Sequence, residues 1–289
     1  MNAEEFHRTR KFADTPFGRI AYVERGSGPA ALFIHGFPLN GFAWRDLIGE
    51  LGMVRRCIAP DLMAFGYTEV AGEQDLSFAA QAEMIAAFLD ALEVDRVDLV
   101  GNDSGGGVSQ MLTANHPARV RTLTLTNCEV HDLWPNRMLQ QLFDQLRQQG
   151  ALAALKMVID NPTAARGAFG AAYEDPGKIP DEVFRTYLEP VLATAQRADL
   201  LRGFIQAAET DREQLISAAP RLKQLRVPIQ VIWGDADLFF DVEPSLNWLR
   251  QNLPTLSKVT VVPQAKLFFP EEHPKLVCKL LEEFWRSAA

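Results

Sequence analysis

The sequence predicts an α/β fold, a mostly parallel central sheet flanked by helices with a helical lid inserted near its middle. Three observations carry this reading. Short apolar runs alternate with amphipathic stretches up to about residue 130, and again from about residue 222. Between these parts, residues 131–221 read as successive helical segments without a strand pattern. The apolar runs also end on turn-forming residues, and the strand ends of open parallel sheets are where such folds place their sites. The expected division is therefore a core of 1–130 and 222–289 with a helical cap of 131–221.

The elements follow in order. Residues 19–24 (RIAYVE) read as a strand, closed by the turn Gly26-Ser27-Gly28-Pro29. Residues 30–34 and 56–59 are short apolar runs of the kind buried in parallel sheets. Residues 77–92 predict an amphipathic helix: Ser77 suits the N-cap, and Ala80, Met84, Phe88 and Leu92 share a face. Residues 97–100 predict a strand running into Gly101-Asn102-Asp103-Ser104-Gly105-Gly106, then a helix to Asn115 closed by His116-Pro117, then a strand over 121–126. In the middle block, helices are expected over 138–149, 151–159, 181–195, 198–208 and 212–225, punctuated by prolines. Alternation resumes with a strand over 229–233, a helix over 244–253, a strand over 258–262 and a last helix over 274–286.

Composition narrows the function. The chain has 289 residues, enough for a sizeable core, and a net charge of −8, which disfavours a phosphate-backbone partner. No apolar run approaches the roughly 18 residues that span a bilayer, and the polar first ten residues do not read as a secretory signal. Cys57, Cys128 and Cys278 are widely spaced in apolar contexts, which fits reduced core thiols and a cytoplasmic location. Glu129, His131 and Asp132 are too few and too local for a metal site, and no phosphate loop or dinucleotide fingerprint occurs, so no metal or organic cofactor is expected. The expected partner is a small-molecule substrate.

The chemistry concentrates at Gly101-x-Asp103-x-Gly105. A reactive residue at the tip of a sharp strand-to-helix turn crowds the positions two before and two after it, and both are glycine here. A frame centred on Ser104 fits worse, because Asn102 would fill one small position. The helix start also offers backbone N–H groups to an anion. His35-Gly36-Phe37-Pro38 follows an early strand, Ala59-Pro60-Asp61-Leu62 the next, and Trp233-Gly234-Asp235-Ala236-Asp237 a late one.

On these motifs the chain resembles the α/β-hydrolase superfamily over nearly its whole length. Within it, it is most similar to the aspartate-nucleophile branch of epoxide hydrolases and dehalogenases. In that branch an aspartate attacks an electrophilic carbon, and a histidine, oriented by a second carboxylate, activates water to hydrolyse the resulting ester. The resemblance implies Asp103 as nucleophile, Asp237 as the histidine's partner, and the N–H groups of Phe37 and Ser104 as oxyanion hole. It also implies a substrate that is a small apolar electrophile: an epoxide, organohalide or ester. Dehalogenases of this branch carry tryptophan where this chain has Ser104.

The resemblance breaks at the histidine. Counting back from Glu271-Glu272-His273-Pro274, its position holds Leu267, preceded by Lys266. Three readings remain. Another group, His131, Glu129 or Lys266, activates water; or the scaffold runs lyase- or isomerase-like chemistry; or it binds a ligand without turnover. An ionised Asp237 beside leucine needs compensation, expected from Lys266 or a polar neighbour. His35, Trp44, Trp134, Tyr173, Tyr187, Leu267 and Phe268 are the remaining pocket candidates, with Tyr173 and Tyr187 as lid groups that protonate a leaving oxygen.

Overall fold

The computed structural model describes residues 1–148 and 150–288. Its strands are β1 (Lys11–Thr15), β2 (Gly18–Arg25), β3 (Ala30–Ile34), β4 (Arg56–Pro60), β5 (Glu69–Val70), β6 (Val97–Asn102), β7 (Val120–Thr126), β8 (Ile229–Gly234) and β9 (Leu256–Val262). They form one sheet in the order β1-β2-β4-β3-β6-β7-β8-β9, with β5 on β2. From β4 to β9 every neighbouring pair is parallel, while β1, β2 and β5 pair antiparallel. The fully buried strands β3, β6 and β8 are the apolar runs of the sequence, as expected for a sheet covered on both faces. Because β3, β6, β7, β8 and β9 run the same way, the segments after them gather at one edge, and the site lies there.

The helices are α1 (Ala3–Arg8), α2 (Arg45–Leu51), α3 (Phe78–Ala91), α4 (Ser104–Asn115), α5 (Arg137–Arg147), α6 (Ala151–Ile159), α7 (Pro162–Phe169), α8 (Asp181–Leu192), α9 (Ala195–Gln206), α10 (Ala208–Leu222), α11 (Val242–Asn252), α12 (Phe269–Glu272) and α13 (Pro274–Ser287). Ser77 caps α3, its side chain accepting from the Ala80 N–H. Between β7 and β8 the described residues hold helices α5 to α10 and no strand.

Several boundaries differ from the sequence reading. The N-terminal segment, for which the sequence reading named no element, forms α1 and β1; Asn2 caps α1, and Phe6 anchors it against Phe42 with ring centroids 5.2 Å apart. α7 carries little hydrophobic pattern (PTAARGAF) and was not expected; Asn161 caps it, accepting from the Thr163 and Ala164 N–H groups. The fifth helix ends at Arg147, and the expected position 149 lies outside the described residues.

The insertion is bound to the core by polar contacts. Arg197 on α9 donates to the carbonyls of Thr68 (2.6 Å), Phe65 (3.2 Å) and Gly66. Asn40 donates to the Thr186 carbonyl at 2.9 Å. Phe268 N–H, in the loop after β9, donates to the Ala172 carbonyl at 3.0 Å.

Candidate active site

Asp103 stands at the tip of the turn between β6 and α4, with φ 53° and ψ −136°. Left-handed backbone at a non-glycine residue costs about 1–3 kcal/mol and persists where the surroundings enforce it. Here they do. A Cβ on Gly101 would lie 2.4 Å from the Gly105 carbonyl oxygen, and one on Gly105 only 2.1 Å from that of Ile34. The strained tip is therefore Asp103, while Ser104 opens the helix. Asp103 N–H donates to the Asn127 carbonyl at 2.8 Å. The N–H groups of Ser104 and Phe37, expected to form an oxyanion hole, face its buried carboxylate and favour its anion. Burial raises the Asp103 pKa well above the usual carboxylate range, and the nearby Glu129 and Asp237 raise it further, while those two N–H groups favour the anion.

Asp237 follows β8 and is nearly buried. Its carboxylate accepts from Asn127 Nδ2 at 2.6 Å and from the Phe239 N–H at 2.8 Å. Burial lifts its pKa to about 6, with these bonds opposing. Of the two compensating groups the sequence suggested, the partner is thus the polar neighbour, Asn127. Lys266 turns the other way: its ammonium donates to the Gly170 carbonyl at 3.2 Å, next to α7. As a substitute base Lys266 is therefore corrected; it does not line the cavity described below. Leu267 does line it, and Asn102 Nδ2 fixes the Leu267 carbonyl at 3.0 Å.

His131 is corrected as well. Its ring stacks on Trp248, centroids 4.9 Å apart, its Nδ1 contacts Asp132 at 2.7 Å, and it is outside the cavity lining. Two residues earlier the chain places Glu129 differently. Glu129 is wholly buried, lines the cavity with Asp103, and neither carboxylate oxygen has a hydrogen-bond partner among the described residues. Ser104 and the Gly107 N–H face it and favour its anion, yet neither closes a well-formed bond. Desolvation dominates and carries its pKa to about 8.

The cavity measures about 110 Å³. Asp103, Ser104 and Glu129 are its polar wall; Phe37, Phe239, Leu267 and Phe268 close the core side, and Trp134, Leu139, Phe143, Leu155, Phe169 and Leu188 the inserted side. Trp134 and Phe268 therefore sit where the sequence reading put them. Among the described residues no histidine, lysine or arginine lines it. A cavity of roughly 150 Å³ admits benzene, so this cavity suits a group of that size or smaller.

The other pocket candidates lie elsewhere. Tyr173 and Tyr187 are corrected: both hydroxyls donate to the Glu271 carboxylate, at 2.5 and 2.8 Å, and neither lines the cavity. Arg45 completes this buried hub through an ion pair with Glu271. The hydroxyls are thus committed, and Glu271 with burial raises both phenol pKa values well above the usual range. Trp44 and His35 line a separate cavity of about 10 Å³ behind the site. His35 is locked there: Nε2 accepts from the Leu62 N–H at 3.0 Å, Nδ1 donates to the Gly36 carbonyl at 2.9 Å, and burial lowers its pKa to about 4. It is a neutral shaping residue. Asp61 likewise holds backbone, accepting from the Gly41 and Tyr67 N–H groups at 2.8 Å each.

Sequence reasoning missed Asn127, Gln110 and Asp211. Asn127 joins the Asp103 N–H to Asp237, and also accepts from the Gly234 N–H at 2.7 Å. The asparagine just past β7 was the available signal. No metal-binding group of three or more His, Cys, Asp or Glu occurs among the described residues, and no described helix is long and apolar enough to cross a membrane.

This arrangement is that of an α/β-hydrolase, and the comparisons agree. The model of the α/β-hydrolase fold family matches residues 29–274, so the chain belongs to that family of hydrolase enzymes, which act on small molecules. It is 27% identical over 284 residues to haloalkane dehalogenase 2 of Mycobacterium tuberculosis, covering 95% of this chain and 94% of that protein. It is 27% identical over 296 residues to epoxide hydrolase 2 of Siraitia grosvenorii, covering 90% and 92%. The solved structure of the epoxide hydrolase CorEH superposes with a TM-score of 0.79 over 97% of this chain and 99% of that one, at 21% identity, which speaks to the fold.

Proposed function

We propose that the protein hydrolyses small, uncharged, apolar electrophiles, epoxides foremost, with Asp103 as nucleophile and Glu129 in place of the absent histidine. One observation carries the reading: Glu129 shares the cavity wall with Asp103, and both its oxygens are without partners. Two like acids in one dry site retain a proton at neutral pH. The Ser104 and Phe37 N–H groups favour the Asp103 anion, Ser104 and the Gly107 N–H that of Glu129, and we place the shared proton on Glu129.

The reaction then balances with those two groups. An Asp103 carboxylate oxygen attacks an epoxide carbon, the C–O bond breaks, and the alkoxide takes the Glu129 proton. This leaves a hydroxyalkyl ester on Asp103 and a carboxylate at Glu129. Glu129 next takes a proton from water, the hydroxide adds to the ester carbonyl, and the Phe37 and Ser104 N–H groups stabilise the oxyanion. Collapse expels the diol oxygen, which recovers the proton from Glu129, and the regenerated Asp103 acid then passes its proton to Glu129, restoring the starting state. One carboxyl group acts first as acid and then as base, as the acid/base residue of retaining glycosidases does. An epoxide or ester oxygen uses that proton, whereas a halide needs none, so oxygen leaving groups are preferred. Anions are refused, because they would meet carboxylates and no cation.

Residues 131–221 act as the lid that keeps this wall dry. The three cysteines are free and buried, in keeping with a reducing cytoplasm. A single turnover of excess enzyme with styrene oxide in ¹⁸O-water tests the mechanism. The account expects an unlabelled oxygen added to the diol, delivered from Asp103; a labelled diol would mean direct attack by water and would overturn it.

A further inference from the structure

One peptide group beside the cavity is gripped from two sides. Leu267 and Phe268 both line the cavity, and the peptide between them is bonded at each of its polar atoms. The Leu267 carbonyl accepts from Asn102 Nδ2 at 3.0 Å, and the Phe268 N–H donates to the Ala172 carbonyl at 3.0 Å. Asn102 is the last residue of β6, one position before Asp103. Ala172 lies in the stretch between α7 and α8 and lines the cavity itself. The second hydrogen of the Asn102 amide goes to the Thr126 carbonyl at 3.2 Å, at the end of β7. Both of its partners are carbonyls, which only accept, so the nitrogen side of the amide has to face them.

A buried peptide group needs a partner at each end, and here one partner comes from the core and the other from the inserted block. The peptide is therefore fixed in position, and the Leu267 side chain with it. Asn102 and Leu267 are both buried, so the clamp works away from bulk water. In a space of about 110 Å³, the place of one leucine decides what fits. We infer that Asn102 is a positioning residue that sets the size limit of this cavity: by pinning the Leu267 carbonyl it holds that side chain as a rigid wall and restricts the occupant to a single small ring. The inference concerns what the cavity admits, so it stands or falls apart from the chemistry proposed for Asp103 and Glu129.

The test uses two inert, uncharged probes, benzene and naphthalene, titrated calorimetrically into the full chain. Wild type should bind benzene in preference. Leu267→Ala removes the wall and should raise the naphthalene-to-benzene affinity ratio about tenfold, the scale on which apolar pockets sense added carbon. Asn102→Ala frees the wall and should move the ratio the same way. The double variant should match Leu267→Ala, because releasing a wall that is already gone adds nothing. General damage to the fold lowers the binding of both probes and leaves their ratio in place, which separates positioning from mere support. Asn102→Asp keeps the side-chain size while removing both donors, and is read instead should the alanine variant not fold. No benzene binding to wild type, an unchanged ratio in the Asn102 variant, or effects that multiply in the double variant would overturn the inference.

Discussion

Two buried glutamates divide the work of this molecule. Glu271, after β9, is met by Arg45, Tyr173 and Tyr187, so its carboxylate is paired and bonded on both oxygens. Glu129, after β7, is at least as buried and meets no donor in bonding geometry. The first couples the core to the helices between β7 and β8: Arg45 opens α2, Tyr187 is on α8, and Tyr173 lies between α7 and α8. The second faces a cavity wall shared with a strained aspartate. Satisfied buried charge stabilises an arrangement, whereas an unsatisfied acid stores a displaceable proton.

The comparison breaks or sharpens by substitution. Asp103→Asn should lower epoxide turnover at least about 10⁴-fold, as removal of a nucleophile does, with fold retained by circular dichroism. Glu129→Gln should lower kcat about 10²–10⁴-fold and abolish the inflection near pH 8 in the rate profile. Its melting temperature should hold or rise, because an unpartnered buried acid is removed. Glu271→Gln should do the reverse. It strands the Arg45 charge and should cost about 3–5 kcal/mol of stability in urea unfolding, with the pH profile of the folded fraction unchanged.

The pH dependence of stability sharpens the contrast further. Glu129 and Asp211 have folded pKa values of about 8, above their values in an unfolded chain. Their contribution is full below the unfolded values near pH 4 and is lost as pH rises towards 8. The slope is about 1.4 kcal/mol per pH unit for each group. Urea midpoints should therefore fall between pH 5 and 8, and Glu129→Gln should flatten that fall. The smallest effect concerns the departure from the family pattern. In the Glu129→Gln background, Leu267→His should restore about tenfold of the lost turnover, since an imidazole beside the ester can activate water. No gain would show that position 267 does not reach the ester.

Much of this was legible in the sequence where the cause is local. The glycines at 101 and 105 announce the turn because only close backbone approach demands them. Leu267 and Phe268 follow from counting back along a motif. What escaped depends on distant partners. Lys266 is committed to a carbonyl 96 residues away, and Tyr173 to a carboxylate 98 residues away. Pattern cannot decide between a lid tyrosine that faces substrate and one that faces Glu271. Glu129 and His131 are two residues apart and looked equivalent, but stacking on Trp248 draws His131 off while Glu129 stays in the cavity wall. Asp211 was unremarkable in an acidic helix start until α3 packed against it.

The central claim is that Asp103 carries the substrate and Glu129 releases it. A primary bromoalkane alkylates a carboxylate without needing a proton donor, so it separates the two roles. Glu129→Gln should be incubated with bromobutane and its intact mass recorded, with peptide mapping of any adduct. The account predicts a persistent butyl ester on Asp103 in the variant at every pH, and in wild type one that clears once Glu129 loses its proton, above about pH 8. An adduct on another residue, or none in a folded variant, would contradict it.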